Sequence, residues 1–157
     1  MDDSLYEDRA TMFARSLNRD QRSSEEMLNE ALATAAQSDV IVAALGEASE
    51  MSGESSSRSD IGIPDAQRRL LEALLKTGKP VVLVLFAGRP MTLKWENDNV
   101  PAILNVWFGG SEAGTAIADV LFGDVNPSGK LSTTFPQNVG QVPIYYAHKN
   151  TGRPLDE

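Results

Sequence analysis

A chain of 157 residues, 41% apolar and 23% charged, has the composition of one globular domain with a substantial core, which excludes wholesale disorder. Its formal charge of −8 excludes nucleic acid and anionic membrane surfaces as partners, since both need clustered Lys and Arg. With no cysteine there is no disulfide framework, thiolate nucleophile or Cys-based zinc site.

Residues 1–22 are charge-rich, with Leu5, Tyr6, Met12, Phe13 and Leu17 scattered among them. They are expected to form a loose amphipathic helix or a lead-in set apart from the domain over 23–157. Asp2, Asp3, Glu7 and Asp8 stand where a signal peptide would be basic and then apolar, so none is expected here. Ser23 and Glu26 have capping-box spacing, and Met27, Leu28, Ala31, Leu32 and Ala35 mark one helical face. Ser38-Asp39 breaks that helix, and residues 40–45 form an uninterrupted apolar strand. Pro64 suits a first helical position, Leu70, Leu71, Leu74 and Leu75 form the buried face, and Gly78 is the expected stop. Strands are expected over 80–86 and 102–108, with a short strand or helix at 91–95 and a turn at 96–99. Gly109-Gly110 opens a helix with Ala113, Ala116, Ile117, Val120 and Leu121 inward, stopped by Gly123. Leu131, Thr133 and Phe135 alternate like an edge strand, and beyond Pro136 the chain is irregular.

Helices alternating with fully apolar strands predict an α/β fold: a three-layer α/β/α sandwich with a mostly parallel, doubly wound sheet. In such sheets ligands bind outside the carboxyl ends of the strands. The stretch that leaves the first strand at that end reads GEASEMSGESSSRSDIGIP from Gly46. It holds Glu47, Glu50, Glu54, Arg58 and Asp60 without helical or strand periodicity, and long polar loops of this kind in compact domains are usually functional or disordered.

Other motifs have competing readings. Gly109-Gly110-Ser111-Glu112-Ala113-Gly114 is not the G-x-G-x-x-G of a dinucleotide site, so a tight turn with close helix packing accounts for it. The same segment resembles a nucleophile elbow around Ser111, with Asp124 and His148 in the chain order of a hydrolase triad. Residues 123–130 fail as a phosphate loop, because five residues separate its glycines and Leu131 replaces the hydroxyl. His148 is the only histidine, and the acidic loop lacks the alternate-residue spacing of a calcium loop. No metal and no cofactor is therefore expected.

Gly46-Glu47, Ser52-Gly53-Glu54, Ser57-Arg58, Ile63-Pro64, Gln67 and Leu70-Leu71 together resemble the C-terminal α/β-sandwich domain of glycoside hydrolase family 3. The resemblance continues through Gly78-Lys79-Pro80, Gly88-Arg89-Pro90, Trp107-Phe108-Gly109-Gly110, residues 116–124 and Asn126-Pro127-Ser128-Gly129-Lys130. It ends in Thr134-Phe135-Pro136 and Pro143-Ile144-Tyr145-Tyr146, and it covers roughly residues 25–154. It implies a retaining hydrolase that removes terminal β-linked glucose from a β-glucoside or oligosaccharide, in the periplasm or outside the cell. In that family the nucleophile is an aspartate of a preceding (β/α)8 barrel, and a glutamate of this domain is the general acid/base. The family's Ser-Gly-Glu position falls on Glu54, with Glu47 and Glu50 as competing assignments. Arg58 and Asp60 are expected to bind substrate or to hold the loop, Arg58 pairing with Asp60 or with a loop glutamate.

The resemblance also implies a missing barrel and a truncated domain, since the family has a further strand ahead of the helix at Ser23. The chain alone is therefore expected to be inactive. An exposed sheet edge is expected to pair with a second copy, giving a homodimer, or to be filled by the lead-in. β-Xylosidase and N-acetylglucosaminidase activities stay open, because the discriminating sugar contacts lie mostly in the barrel. The other readings are a non-catalytic carbohydrate-binding or packing module and a serine hydrolase using Ser111.

Overall fold

The computed structural model describes residues 22–149 and 152. The chain runs α1 (Ser24–Ala36), β1 (Ile41–Gly46), α2 (Asp65–Leu75), β2 (Val81–Phe86), α3 (Lys94–Asn99), β3 (Ala102–Asn105) and α4 (Ala113–Phe122). Short 3₁₀ turns lie at Ser49–Met51 and Val139–Gln141. The strands form one all-parallel sheet in the order β1-β2-β3, so the architecture is α/β with crossover helices, as the pattern of elements predicts.

Local chemistry sets the element ends. Ser23 Oγ accepts from the Glu26 N–H at 3.2 Å, and the Ser23 N–H donates back to Glu26 Oε2 at 2.7 Å, a complete capping box. Gly78 and Gly123 follow α2 and α4 with φ of +73° and +86°, left-handed positions where glycine carries no Cβ penalty. The core lies on one face of the sheet. Ile41 pairs with Val81 and Ala43 with Leu83, and all four side chains are buried with Leu85, Leu71 and Leu74. Leu93 and Trp95 pack against the same cluster. The opposite face is thinly covered: Val84 is buried, but Val42 of β1 is 49% exposed.

Three local expectations differ from the structure. β3 ends at Asn105 rather than at 108, because Trp107 adopts φ +53°, which no extended strand accommodates. Residues 96–99 are helical, continuing from Lys94, whose Nζ reaches Asp98 at 2.7 Å one turn on. Residues 131–135 form no strand; Phe135 instead packs its ring on Trp107 at 5.7 Å, and Pro136 is buried beside it. α4 buries none of its residues fully, since among the described residues no strand lies beyond β3 for it to cover.

The outer edge of β1 has no strand partner among the described residues. The Ile41 and Glu47 N–H groups donate to the Pro80 and Phe86 carbonyls, so the alternate residues Val42, Ala44 and Gly46 turn their backbone groups outward. A groove of about 490 Å³ runs along this edge between Met27, Ala31, Val42 and Leu70. Of the expected lead-in over 1–22, residues 1–21 lie outside the described residues.

Candidate functional site

The polar loop leaves the carboxyl end of β1 at Gly46, where φ is +138° and an added Cβ would stand 1.8 Å from the Phe86 carbonyl oxygen. Only glycine lets the chain turn out of the sheet this close to β2. The next residue, Glu47, anchors the loop from inside, with a side chain that is fully buried. Arg58 Nη1 reaches Glu47 Oε1 at 2.9 Å, and Arg89 Nε reaches the same oxygen at 3.0 Å. The Gly88 N–H donates to Glu47 Oε2 at 3.3 Å. Both carboxylate oxygens are therefore occupied, as a buried charge requires.

The two arginines carry this anchor outward. Arg58 Nη2 donates to the Gly62 carbonyl at 3.1 Å, closing the far end of the loop onto its start. Arg89 Nη2 donates to the Met51 carbonyl and so holds the near side. Asp60 Oδ1 accepts from the Gly62 N–H at 2.8 Å, an Asx turn, and forms no ion pair with Arg58. Of the two expected partners for Arg58, the loop glutamate is the one it takes.

Loops from all three strands meet at Gly88. A Cβ there would fall 2.0 Å from Ser52 Oγ and 2.8 Å from Phe108 Cε2, so the position accepts no side chain without displacement. Phe108 itself is 48% exposed at the carboxyl end of β3, next to the stem of the acidic loop.

Glu50 and Glu54 lie on the outer part of the loop, and their surroundings differ. Ser49 Oγ donates to Glu50 Oε1 at 2.7 Å, and this hydrogen bond holds the Glu50 carboxyl below the ordinary glutamate range. Glu54 is exposed in a turn between Gly53 at φ +148° and Ser55 at φ +62°. Ser55 is a non-glycine residue in the left-handed region, a conformation costing about 1–2 kcal/mol that persists where the surroundings impose it. Among the described residues Glu54 makes no hydrogen bond or ion pair.

The structure thus brings Glu47 and Arg58 together and leaves Glu54 facing outward at the loop tip. Arg89 and Gly88 belong to the same constellation, although the sequence marked Gly88-Arg89-Pro90 only as a turn and a family motif. The signal that finds them is topological: the turn after β2 lies beside the loop after β1 at the carboxyl end of a parallel sheet. The elbow around Ser111 gathers no triad. Ser111 and Asp124 flank opposite ends of α4, which at 1.5 Å rise per residue puts them about 15 Å apart or more. Among the described residues no group of three His, Asp or Glu side chains is placed to share a metal ion.

One free carboxyl on a fixed turn can exchange a proton with a bound group, but glycoside cleavage takes two carboxyls. The model of the glycosyl hydrolase family 3 C-terminal domain matches residues 5–156. The periplasmic beta-glucosidase of Salmonella typhimurium is 53% identical over 92% of this chain, which spans 19% of that protein's length. A beta-xylosidase of Formosa agariphila is 45% identical over 80% of the chain, which spans 17% of that relative. Among solved structures, a beta-glucosidase from Listeria innocua in complex with gluconolactone aligns with TM-score 0.81 and 47% identity. That alignment covers 86% of this chain and 19% of the Listeria chain. The chain belongs to the glycosyl hydrolase family 3 C-terminal domain family.

Proposed function

We propose that the chain is part of a retaining β-glucosidase and supplies Glu54 as general acid/base to a site shared with a (β/α)8 barrel. The observation that carries the assignment is the contrast among the three loop glutamates. Glu47 is buried with both oxygens engaged, and Glu50 accepts a hydrogen bond from Ser49. Among the described residues Glu54 alone of the three stands both exposed and without a hydrogen-bond or ion-pair partner, between Gly53 and Ser55, which both have positive φ. The names of the Salmonella and Listeria relatives support glucose as the sugar removed, and the Salmonella name supports a periplasmic location. The Formosa relative keeps xylosides as the second substrate to test.

A retaining glycosidase sets its nucleophile and its acid about 5–5.5 Å apart. The acid protonates the leaving oxygen and later, as a base, takes a proton from the attacking water. An acid in this role must hold its proton near neutral pH, which calls for burial or a neighbouring like charge. Closure against a barrel that carries the nucleophilic carboxylate would supply both burial and a like charge. The isolated chain accordingly has no glucosidase activity.

The test is Glu54→Gln in the full-length enzyme, assayed on a dinitrophenyl β-glucoside. Its good leaving group needs no acid, so deglycosylation becomes limiting, and azide should restore turnover. Azide rescue of Glu47→Gln or Glu50→Gln in place of Glu54→Gln would move the assignment to that residue.

A further inference from the structure

We propose that Glu47 and Arg89 are positioning residues for the acid/base: they fix the stem of the loop so that Glu54 meets the glycosidic oxygen. The inference rests on the Glu54 reading above.

The argument starts from cost. Burying a carboxylate requires paired charges and hydrogen bonds, and replacing such a network by apolar packing is often neutral or stabilising. Stability alone is therefore a weak reason to place Glu47, with two guanidiniums, under an exposed loop. Geometry gives a stronger one. Glu47 follows Gly46, the last residue of β1, and its N–H is still bonded to the Phe86 carbonyl at 2.8 Å. It is a fixed point of the sheet. Arg89, in the turn after β2, joins that point to the Met51 carbonyl, three residues before Glu54. Arg58 joins the same point to Gly62 on the far limb. The planar guanidinium of Arg89 forms two directed bonds at once, one to carboxylate and one to carbonyl, which an ammonium cannot reproduce. The loop is thus tied to two strand ends on either side of Glu54, while residues 53–55 stay free of such ties.

Positioning matters most when the proton is needed most. A misplacement of about 1 Å costs on the order of 100-fold in rate. That loss falls on substrates whose leaving oxygen must be protonated, and hardly on those whose leaving group departs unaided. A merely structural role would lower the active fraction and so reduce both substrates alike.

The experiment compares kcat/KM of the full-length enzyme on an alkyl β-glucoside and on a dinitrophenyl β-glucoside for Arg89→Lys and Glu47→Gln. Arg89→Lys keeps a cation beside Glu47, so it reports even if Glu47→Gln fails to fold. We expect kcat/KM on the alkyl glucoside to fall by about 10–100-fold and on the dinitrophenyl glucoside by less than about 3-fold. Azide should not accelerate either variant, because the Glu54 carboxylate is still in place. Equal losses on both substrates, or none on either, overturn the proposal. Glu54→Gln measured alongside judges the underlying reading separately: if its loss does not depend on the leaving group, the acid/base assignment itself falls.

Discussion

Gln67 uses its side-chain amide as a one-residue strand for Gly46. The Gly46 N–H donates to Gln67 Oε1 at 2.7 Å, and Gln67 Nε2 donates to the Gly46 carbonyl at 2.9 Å. These are the outward-facing backbone groups of the last residue in β1, on the edge that has no strand partner among the described residues. A residue of α2 thereby closes the carboxyl end of the edge strand at the point where the acidic loop departs. Gln67→Ala removes both partners from a buried peptide, and each orphaned group costs about 1–3 kcal/mol unless water replaces the amide. Urea unfolding of the 157-residue chain should show a loss of about 2 kcal/mol or more. A loss under about 0.5 kcal/mol, the usual range for an uninvolved surface position, would mean the amide pair contributes nothing.

Gly46 and Gly78 both have positive φ, yet their replacement by alanine should differ sharply. A Cβ on Gly78 meets nothing within 4 Å, so only the left-handed backbone penalty of about 1–2 kcal/mol applies. At Gly46 the same atom lands 1.8 Å from the Phe86 carbonyl oxygen, and neither strand can yield without breaking the β1–β2 ladder. Gly46→Ala is expected to cost more than about 4 kcal/mol, enough to leave the chain largely unfolded. Equal midpoints for the two variants in urea would contradict this account.

The frame of the fold was legible because its signals are local. A capping box at Ser23 and Glu26, left-handed glycines at Gly78 and Gly123 and two unbroken apolar strands need no knowledge of distant residues. What escaped depends on contacts far apart in the chain. The alternation at Leu131, Thr133 and Phe135 suits a strand, but the segment is held by Phe135 against Trp107 instead. At the candidate site, residue types leave Glu47, Glu50 and Glu54 indistinguishable, and a family motif favours the third. What separates Glu47 from the others is Arg89, 42 positions away, which no spacing rule connects to it.

The cap of α1 gives a pH dependence with a definite sign. Backbone and side-chain hydrogen bonds from Ser23 hold the Glu26 carboxyl below the ordinary glutamate range. A depressed folded-state value means that the stabilisation is complete above the unfolded glutamate value, about 4.3, and is lost as pH falls through the folded one. The melting temperatures of the wild-type chain and Glu26→Ala should therefore differ most near neutrality and converge as pH falls through the depressed folded-state value. A gap that stayed constant with pH would assign the effect to helix propensity and not to the cap. Ser23→Ala, which removes the acceptor of the reciprocal bond, should cost about 1 kcal/mol.

Arg68 holds the second buried carboxylate of the structure and should prove more sensitive than its own partial exposure suggests. Its Nη1 lies 3.2 Å from Glu96 Oε1, its Nε lies 3.0 Å from Glu72 Oε1, and its guanidinium stacks 3.7 Å from the centre of the Trp95 ring. The Glu72 pair is a partly exposed i,i+4 contact on α2, worth about 0.3–0.5 kcal/mol. Glu96, by contrast, has a side chain only 2% exposed, and Arg68 is the one ion-pair partner it has among the described residues. Arg68→Ala strands that carboxylate in α3 and bares the Trp95 face, so a loss of about 3 kcal/mol is expected, toward the low end for buried pairs because Arg68 remains partly exposed. Glu72→Ala should cost less than about 0.5 kcal/mol. The double variant Arg68→Met with Glu96→Leu removes the unpaired charge together with its partner and should recover more than half of the single-variant loss. If the double variant is as unstable as the sum of its parts, Arg68 acts through Trp95 packing and not through the buried carboxylate.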